Sequence, residues 1–298
     1  MKNRRYYTIA VVVAASASIT LTGCATNNDT GGSPTGAAPT VAKQSDLSAL
    51  VPKSIRDKGV LTVGIGPNYP PNEYIDSTGK IVGWDVELLN ATAQLLGLKT
   101  QYVNTTFPQI LAGIKTGKYD MGDSSFTDTN AREKTVDFVT YFDAGTQWAG
   151  PKGKKIDPNN ACGLRVAAQT NTNQLLQDLP ARNKKCAAAG KPPIQIQSYA
   201  HQADATGAVV LGKADAVLAD SPVLAYGVKQ SNGKLQLDGP IYGAAPYGWP
   251  IAKGSPLGAA LKKALASLIS DGTYKKILTR WGIEGGAITA PKINDATS

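Results

Sequence analysis

The chain has 298 residues, 31 Lys and Arg against 22 Asp and Glu, a formal net charge of +9 and a single histidine. Its basic residues are scattered, with runs no longer than pairs such as Lys154-Lys155 and Lys184-Lys185, which excludes a nucleic-acid-binding surface. Three cysteines and His201 offer no metal-ligand spacing, so neither a metal nor another cofactor is expected.

Lys2, Arg4 and Arg5 precede an apolar run from Ile9 to Leu21, too short for a transmembrane helix and suited to a signal-peptide core. The run ends in Leu21-Thr22-Gly23-Cys24, which resembles the lipobox of bacterial lipoproteins, in which the cysteine is acylated and becomes the mature N-terminus. The resemblance implies removal of residues 1–23 and an anchor of two or more acyl chains, palmitate among them, on Cys24, because one chain binds a membrane only marginally. Loss of the three leader cations leaves 28 basic against 22 acidic residues, a net of +6. Residues 24–44 are mostly Thr, Gly, Ala, Pro, Asn and Ser, a composition that forms no core and reads as a flexible tether.

Beyond the tether, strands and helices alternate. Val60 to Ile65 reads as a strand, followed by a helix capped by Asp85, with Val86, Leu89, Ala93 and Leu96 at helical spacing up to Gly97. Thr100 to Val103 is the next strand, Phe107 to Thr116 a helix, and Tyr119 to Met121 a strand. A second series begins near Trp148. It comprises a strand at Arg165 to Ala168, a helix from Thr172 to Leu179 ended by Pro180, a strand at Ile194 to Gln197, a helix from Ala203 to Leu211 and a strand at Asp215 to Ala219. Ser255-Pro256 then opens a helix with a Leu257, Leu261, Leu265, Leu268 stripe, and a last helix runs from Thr273 to Trp281. Such alternation predicts mostly parallel α/β sheets with helices on their faces. Cys162 and Cys186 are the thiols left once Cys24 is acylated, and an oxidising exterior favours their pairing, with two unpaired buried cysteines as the alternative.

Tyr119-Asp120 through Asp137-Phe138 gathers hydroxyls and Arg132 at a strand-to-helix turn, a set suited to gripping a small carboxylate. This block, Tyr69-Pro70-Pro71-Asn72-Glu73-Tyr74 with Val82 to Leu88, Gly212 to Asp220, and Asp271-Gly272-Thr273-Tyr274 occur in an order that resembles the polar-amino-acid family of extracellular solute-binding proteins of ABC importers. The likeness covers about Leu47 to Ile283. It implies the two-lobed periplasmic-binding-protein fold, each lobe a mostly parallel sheet with flanking helices, joined by two hinge strands. The chain then divides into a signal peptide (1–23), the lipidated tether (24–44), lobe 1 (45–147 and 249–286), lobe 2 (148–248) and a tail (287–298). A monomeric receptor is implied that binds an amino acid, delivers it to an ABC permease and takes no nucleic acid.

Carried over residue by residue, the resemblance implies that Arg132 holds the ligand carboxylate with Thr127, Ser125 and the backbone near Ser124. Thr172 would reach the same carboxylate from lobe 2, Asp220 would take the ammonium, and Tyr69 and Phe107 would supply aromatic faces. Gln169 and Asn171 would add hydrogen-bonding groups near the side-chain pocket. Trp84 reads as lobe core. Gly66 stands where relatives that bind basic or amide side chains often carry aspartate, so a neutral amino acid is expected. Two other readings use the same fold: a secreted cyclohexadienyl dehydratase, with Glu73 as the nearest candidate acid, and a sensory receptor. No Gly-x-Ser-x-Gly elbow supports a serine hydrolase.

Overall fold

A computed structural model describes residue 1, residue 34 and residues 36–297; Cys24 and the apolar leader lie outside them. The fold below lies within the unit Ser33–Ser298. In chain order its first elements are α1 (Ser45–Ser48), α2 (Lys53–Lys58), β1 (Val60–Ile65), β2 (Asn68–Tyr69), β3 (Glu73–Ile75) and β4 (Ile81–Val82). Then come α3 (Trp84–Leu95), β5 (Lys99–Asn104), α4 (Phe107–Lys115), β6 (Met121–Gly122), α5 (Asn130–Glu133) and β7 (Val136–Pro151). The rest are β8 (Arg165–Gln169), α6 (Leu179–Ala188), β9 (Gln195–Tyr199), α7 (Gln202–Val210), β10 (Ala216–Asp220), α8 (Ser221–Gln230), β11 (Leu235–Ala252), α9 (Leu257–Ser270) and α10 (Thr273–Trp281).

Among the described residues these strands form one eight-stranded sheet, ordered β5-β1-β6-β11-β7-β10-β8-β9, and a small sheet β2-β3-β4. Strand chemistry follows position. β10 is buried along its whole length, whereas the edge strands β5 and β9 alternate or expose their residues. Pairing is parallel within β5-β1-β6 and within β10-β8-β9. The halves are joined by the long antiparallel pair β7 and β11, which runs from Val136 opposite Ala252 to Pro151 opposite Leu235. Register breaks between Asp238 and Gly248 let the pair bend where it passes from one half to the other. This is the two-lobed architecture with two hinge strands.

Each lobe buries apolar side chains on both faces of its part of the sheet. In lobe 1, Trp84, Trp249, Leu261 and Leu265 fill one side, and Ile110, Ile114, Phe126 and Phe138 the other. In lobe 2, Trp148, Leu179 and Cys186 face one cluster, and Ala167, Ala205 and Leu224 a second. Trp84 is core as expected. Its ring lies 4.7 Å from that of Phe142, and its indole donates to Asn72 Oδ1 at 2.7 Å. Cys162 and Cys186 are joined, closing a loop worth about 3 kcal/mol in the chain-entropy view. No described helix is long and apolar enough to cross a membrane.

Three local expectations are corrected. Asp85 does not cap α3; Gly83 holds that position at φ 143°, where a Cβ would lie 1.8 Å from Asn72 O, and the buried Asp85 carboxylate points into the core. Pro180 ends no helix: a π-helical turn over Gln174–Asp178 runs directly into α6, with Pro180 at the junction, in the first turn of α6. Pro256 precedes α9 as its N-cap instead of occupying the first helical position. The described end of the tether is also pinned. Arg280 donates to Pro34 O and Gly36 O, and Val41 N to Gln94 Oε1.

Candidate functional site

A cavity of about 350 Å³, counted with the space at its mouth, opens between the lobes. Lobe 1 contributes the β2-β3 hairpin with Tyr69 and Glu73, Phe107 at the start of α4, and Ser124, Ser125, Thr127 and Arg132 from the segment between β6 and β7. Lobe 2 contributes Gln169 at the end of β8, Thr172 to Gln174 beyond it, and Asp220 at the end of β10.

Arg132 lies on the single turn α5, whose N-cap Thr129 accepts from Arg132 N at 3.3 Å. Its guanidinium donates to Thr127 O at 2.8 Å and across the cleft to Asn171 O at 3.1 Å. It rests over the stacked rings of Phe107 and Phe126, 5.7 and 5.3 Å from their centroids. Burial lowers its pKa to about 10, against the charges of Asp220 and Asp128, so it stays cationic at neutral pH.

Asp220 is the residue before α8, yet its side chain makes no cap hydrogen bond. It accepts instead from Tyr69 Oη and Gln174 Nε2, each at 2.8 Å. Burial raises its pKa, while the hydrogen bonds and the field of Arg132 oppose the rise. The cationic Arg132 and the Asp220 carboxyl thus share one cavity. With Gln169 Nε2 donating to Asn68 Oδ1 at 3.3 Å, the Tyr69 and Arg132 contacts link the lobes directly.

Other expected residues are placed differently from one another. Thr127 and Ser124 line the cavity, and Ser124 Oγ accepts from Gly66 N at 3.2 Å. Ser125, at φ 50°, also borders the cavity, but its hydroxyl is taken up by partners within its own lobe. It accepts from Asn72 Nδ2 at 2.8 Å and lies 3.0 Å from both Glu73 Oε2 and Asp85 Oδ2. The Thr172 hydroxyl donates to Gln169 O at 2.8 Å and accepts from Leu175 N, so it shapes the turn. Asn171 is exposed at φ 61° and reaches the site through its carbonyl, outside the cavity lining.

Sequence reasoning missed Asn68, Asn173 and Gln174, which line the cavity, and the acid cluster behind it. Gln174 follows directly on the stretch Gln169 to Asn173, and that adjacency was the available signal. Glu73, Asp85 and Asp123 are all buried in lobe 1. Burial, then the charge of Asp85, pushes Glu73 and Asp123 well above the usual carboxylate range. Asp85 rises less, because Asp123, Tyr141 (2.5 Å) and Ser125 hydrogen-bond to it, with Trp249 Nε1 bridging Asp85 and Asp123 at 3.3 and 3.0 Å. Among the described residues no group of three or more His, Cys, Asp or Glu is arranged to hold a metal ion.

The profile of the bacterial extracellular solute-binding proteins, family 3, matches residues 61–284. The chain belongs to this family. It is similar to the arginine-binding protein ArgT of Corynebacterium glutamicum, with 39% identity over 96% of this chain and 95% of that protein. A solved ancestral arginine-binding protein bound to arginine aligns with 31% identity and a TM-score of 0.68 over 75% of this chain and 98% of that one. An ancestral amino-acid-binding protein, described as a precursor of cyclohexadienyl dehydratase, aligns with 32% identity and a TM-score of 0.67 over 78% and 99%.

Proposed function

We propose that this family 3 protein is a receptor that closes its lobes on one free amino acid with a basic side chain and presents it to the permease of an ABC importer. The observation that carries the reading is the pairing of Arg132 and Asp220 in one interlobe cavity, a cation for the α-carboxylate and an anion for the α-ammonium. A buried zwitterion needs both partners. Tyr69 and Phe107 offer faces for an aliphatic stem and a nearby cation.

The expectation of a neutral ligand rested on Gly66. The cavity, however, takes a carboxyl from Glu73, while at Gly66 even a Cβ would lie 3.3 Å from Phe107 N and 3.4 Å from Ser124 Oγ. A basic side chain reaching Glu73 would find its counter-charge there, and the relatives named for arginine support that choice. Lobe bounds at 45–147, 148–248 and 249–286, a lipid anchor at Cys24 on the outer face of the cell membrane, and a monomeric state belong to the same proposal.

Calorimetric titration with the twenty amino acids tests it: arginine or lysine should bind, and Arg132→Ala should abolish the heat. Binding of none of them would overturn the reading. A dehydratase stays as a second reading because Glu73 puts a buried carboxyl in the lining whose pKa burial raises, the direction a general acid needs. Turnover of arogenate or prephenate would favour it.

A further inference from the structure

We infer that the C-terminal segment Ile288–Ala296 is a positioning strap for Arg132, which holds the Thr127–Glu133 loop in the pose that faces Asp220. The segment lies beyond the residues 61–284 that match the family. The inference rests on Arg132 being the ligand-carboxylate partner.

In lobe 1, β7 pairs with β11 on one side, while β10 pairs only with Thr146 to Ala149 on the other. The second edge of β7 from Val136 to Asp143 is left open by the strands of the sheet, and the C-terminal segment covers it antiparallel. Tyr274 Oη accepts from Ile288 N and donates to Tyr141 O, anchoring the start. Lys292 then bonds Thr140, Ile293 bridges Val139, and Phe138 N donates to Asn294 Oδ1 at 2.9 Å while Asn294 N donates to Phe138 O at 3.1 Å. Asn294 Nδ2 reaches Asp137 Oδ1 at 2.9 Å.

The strap then leaves β7 and joins the Arg132 loop. Asp295 N donates to Asp128 Oδ2 at 2.7 Å and Ala296 N to Glu133 Oε1 at 3.1 Å. These carboxylates flank Arg132, four residues before it and one after. α5 has four residues, far short of the roughly 12–15 that make an isolated helix stable, so its pose must come from outside. The loop is also fixed by the Thr129 cap, by Asp128 N donating to Pro246 O, by the Thr127–Tyr247 bridge and by Lys253 Nζ donating to Glu133 O, all of which both variants keep.

Two variants of the full chain test this: one ending at Pro291, and Asn294→Gly, which keeps the left-handed backbone (φ 57°) and removes both side-chain hydrogen bonds. With arginine as probe, the shortened chain should bind about tenfold more weakly, with Asn294→Gly between it and the parent. Amide exchange over 127–135 should rise severalfold in both, roughly unchanged over 165–199, because local opening follows the lost contacts. Arginine affinity within twofold of the parent in a folded shortened chain would overturn the strap, as would unaltered exchange over 127–135 in Asn294→Gly should the shortened chain fail to fold. If the parent itself binds no amino acid, the functional reading fails, and the exchange measurement still decides whether the strap holds the loop.

Discussion

Asp220→Asn isolates the ammonium partner. The amide keeps nearly the same shape, its oxygen can still accept from Gln174 Nε2, and Tyr69 Oη can accept from its nitrogen in place of donating. Only the charge is lost. Removing one member of a buried ion pair costs about 3–5 kcal/mol, which at about 1.4 kcal/mol per decade is roughly a hundredfold to a few thousandfold in affinity. The empty protein should not suffer. Burial raises the Asp220 pKa, so its ionised form costs folding energy that the amide avoids, and the variant should melt at or above the parent temperature. Titration calorimetry with arginine, beside thermal unfolding without ligand, measures both. Affinity within about fivefold of the parent would refute the assignment of Asp220 to the ammonium.

Three further outcomes are expected. Burial, and then the charge of Asp85, holds the Glu73 carboxyl above the usual carboxylate range in the empty site, so a basic side chain that pairs with it should favour loss of its proton: arginine should bind more tightly as pH rises and release protons in calorimetry across buffers, and Glu73→Gln should abolish the release and weaken binding by about a hundredfold. Burial, and then the neighbouring Glu133 carboxyl, raises Asp128 to about 7 despite the Asp295 N–H, with Asp295 and Arg132 also facing it. A carboxyl raised on folding stabilises below its unfolded pKa and loses that contribution as pH climbs through the folded one, so the melting temperature of the parent should fall relative to Asp128→Asn between about pH 4 and pH 7. An offset between the two that stays constant over that window would contradict it. Cys24→Ala should release the chain from membranes or leave it unprocessed; a membrane-bound variant of normal mature mass would rule out lipidation.

Much of the fold was legible because apolar period and stop signals agree locally. Thr273 to Trp281 ends at Gly282, which sits in the left-handed conformation, and the Leu257 to Leu268 stripe is buried as expected. Arg132, Asp220, Tyr69 and Phe107 were legible from motifs, and they do share one cavity. What escaped was non-local. Asp85 reads as a cap because acids favour helix starts, yet Tyr141, Trp249 and Ser125, distant in sequence, draw it into the core. Pro180 reads as a stop because the π-helical turn before it has no sequence signature. The strap is hidden for a related reason: much of its grip comes from backbone N–H groups on Asp128, Glu133 and Thr140, which no residue pattern announces.

The charge clamp is tested most directly by titrating the protein with arginine, with agmatine, which lacks the carboxylate, and with the deaminated analogue 5-guanidinopentanoic acid. If Arg132 and Asp220 grip the two backbone charges, arginine should bind and each analogue should lose at least about a hundredfold in affinity, since each leaves one buried charge of the site unpaired. Agmatine binding as tightly as arginine would contradict the role of Arg132, and equal binding of the deaminated analogue would contradict that of Asp220.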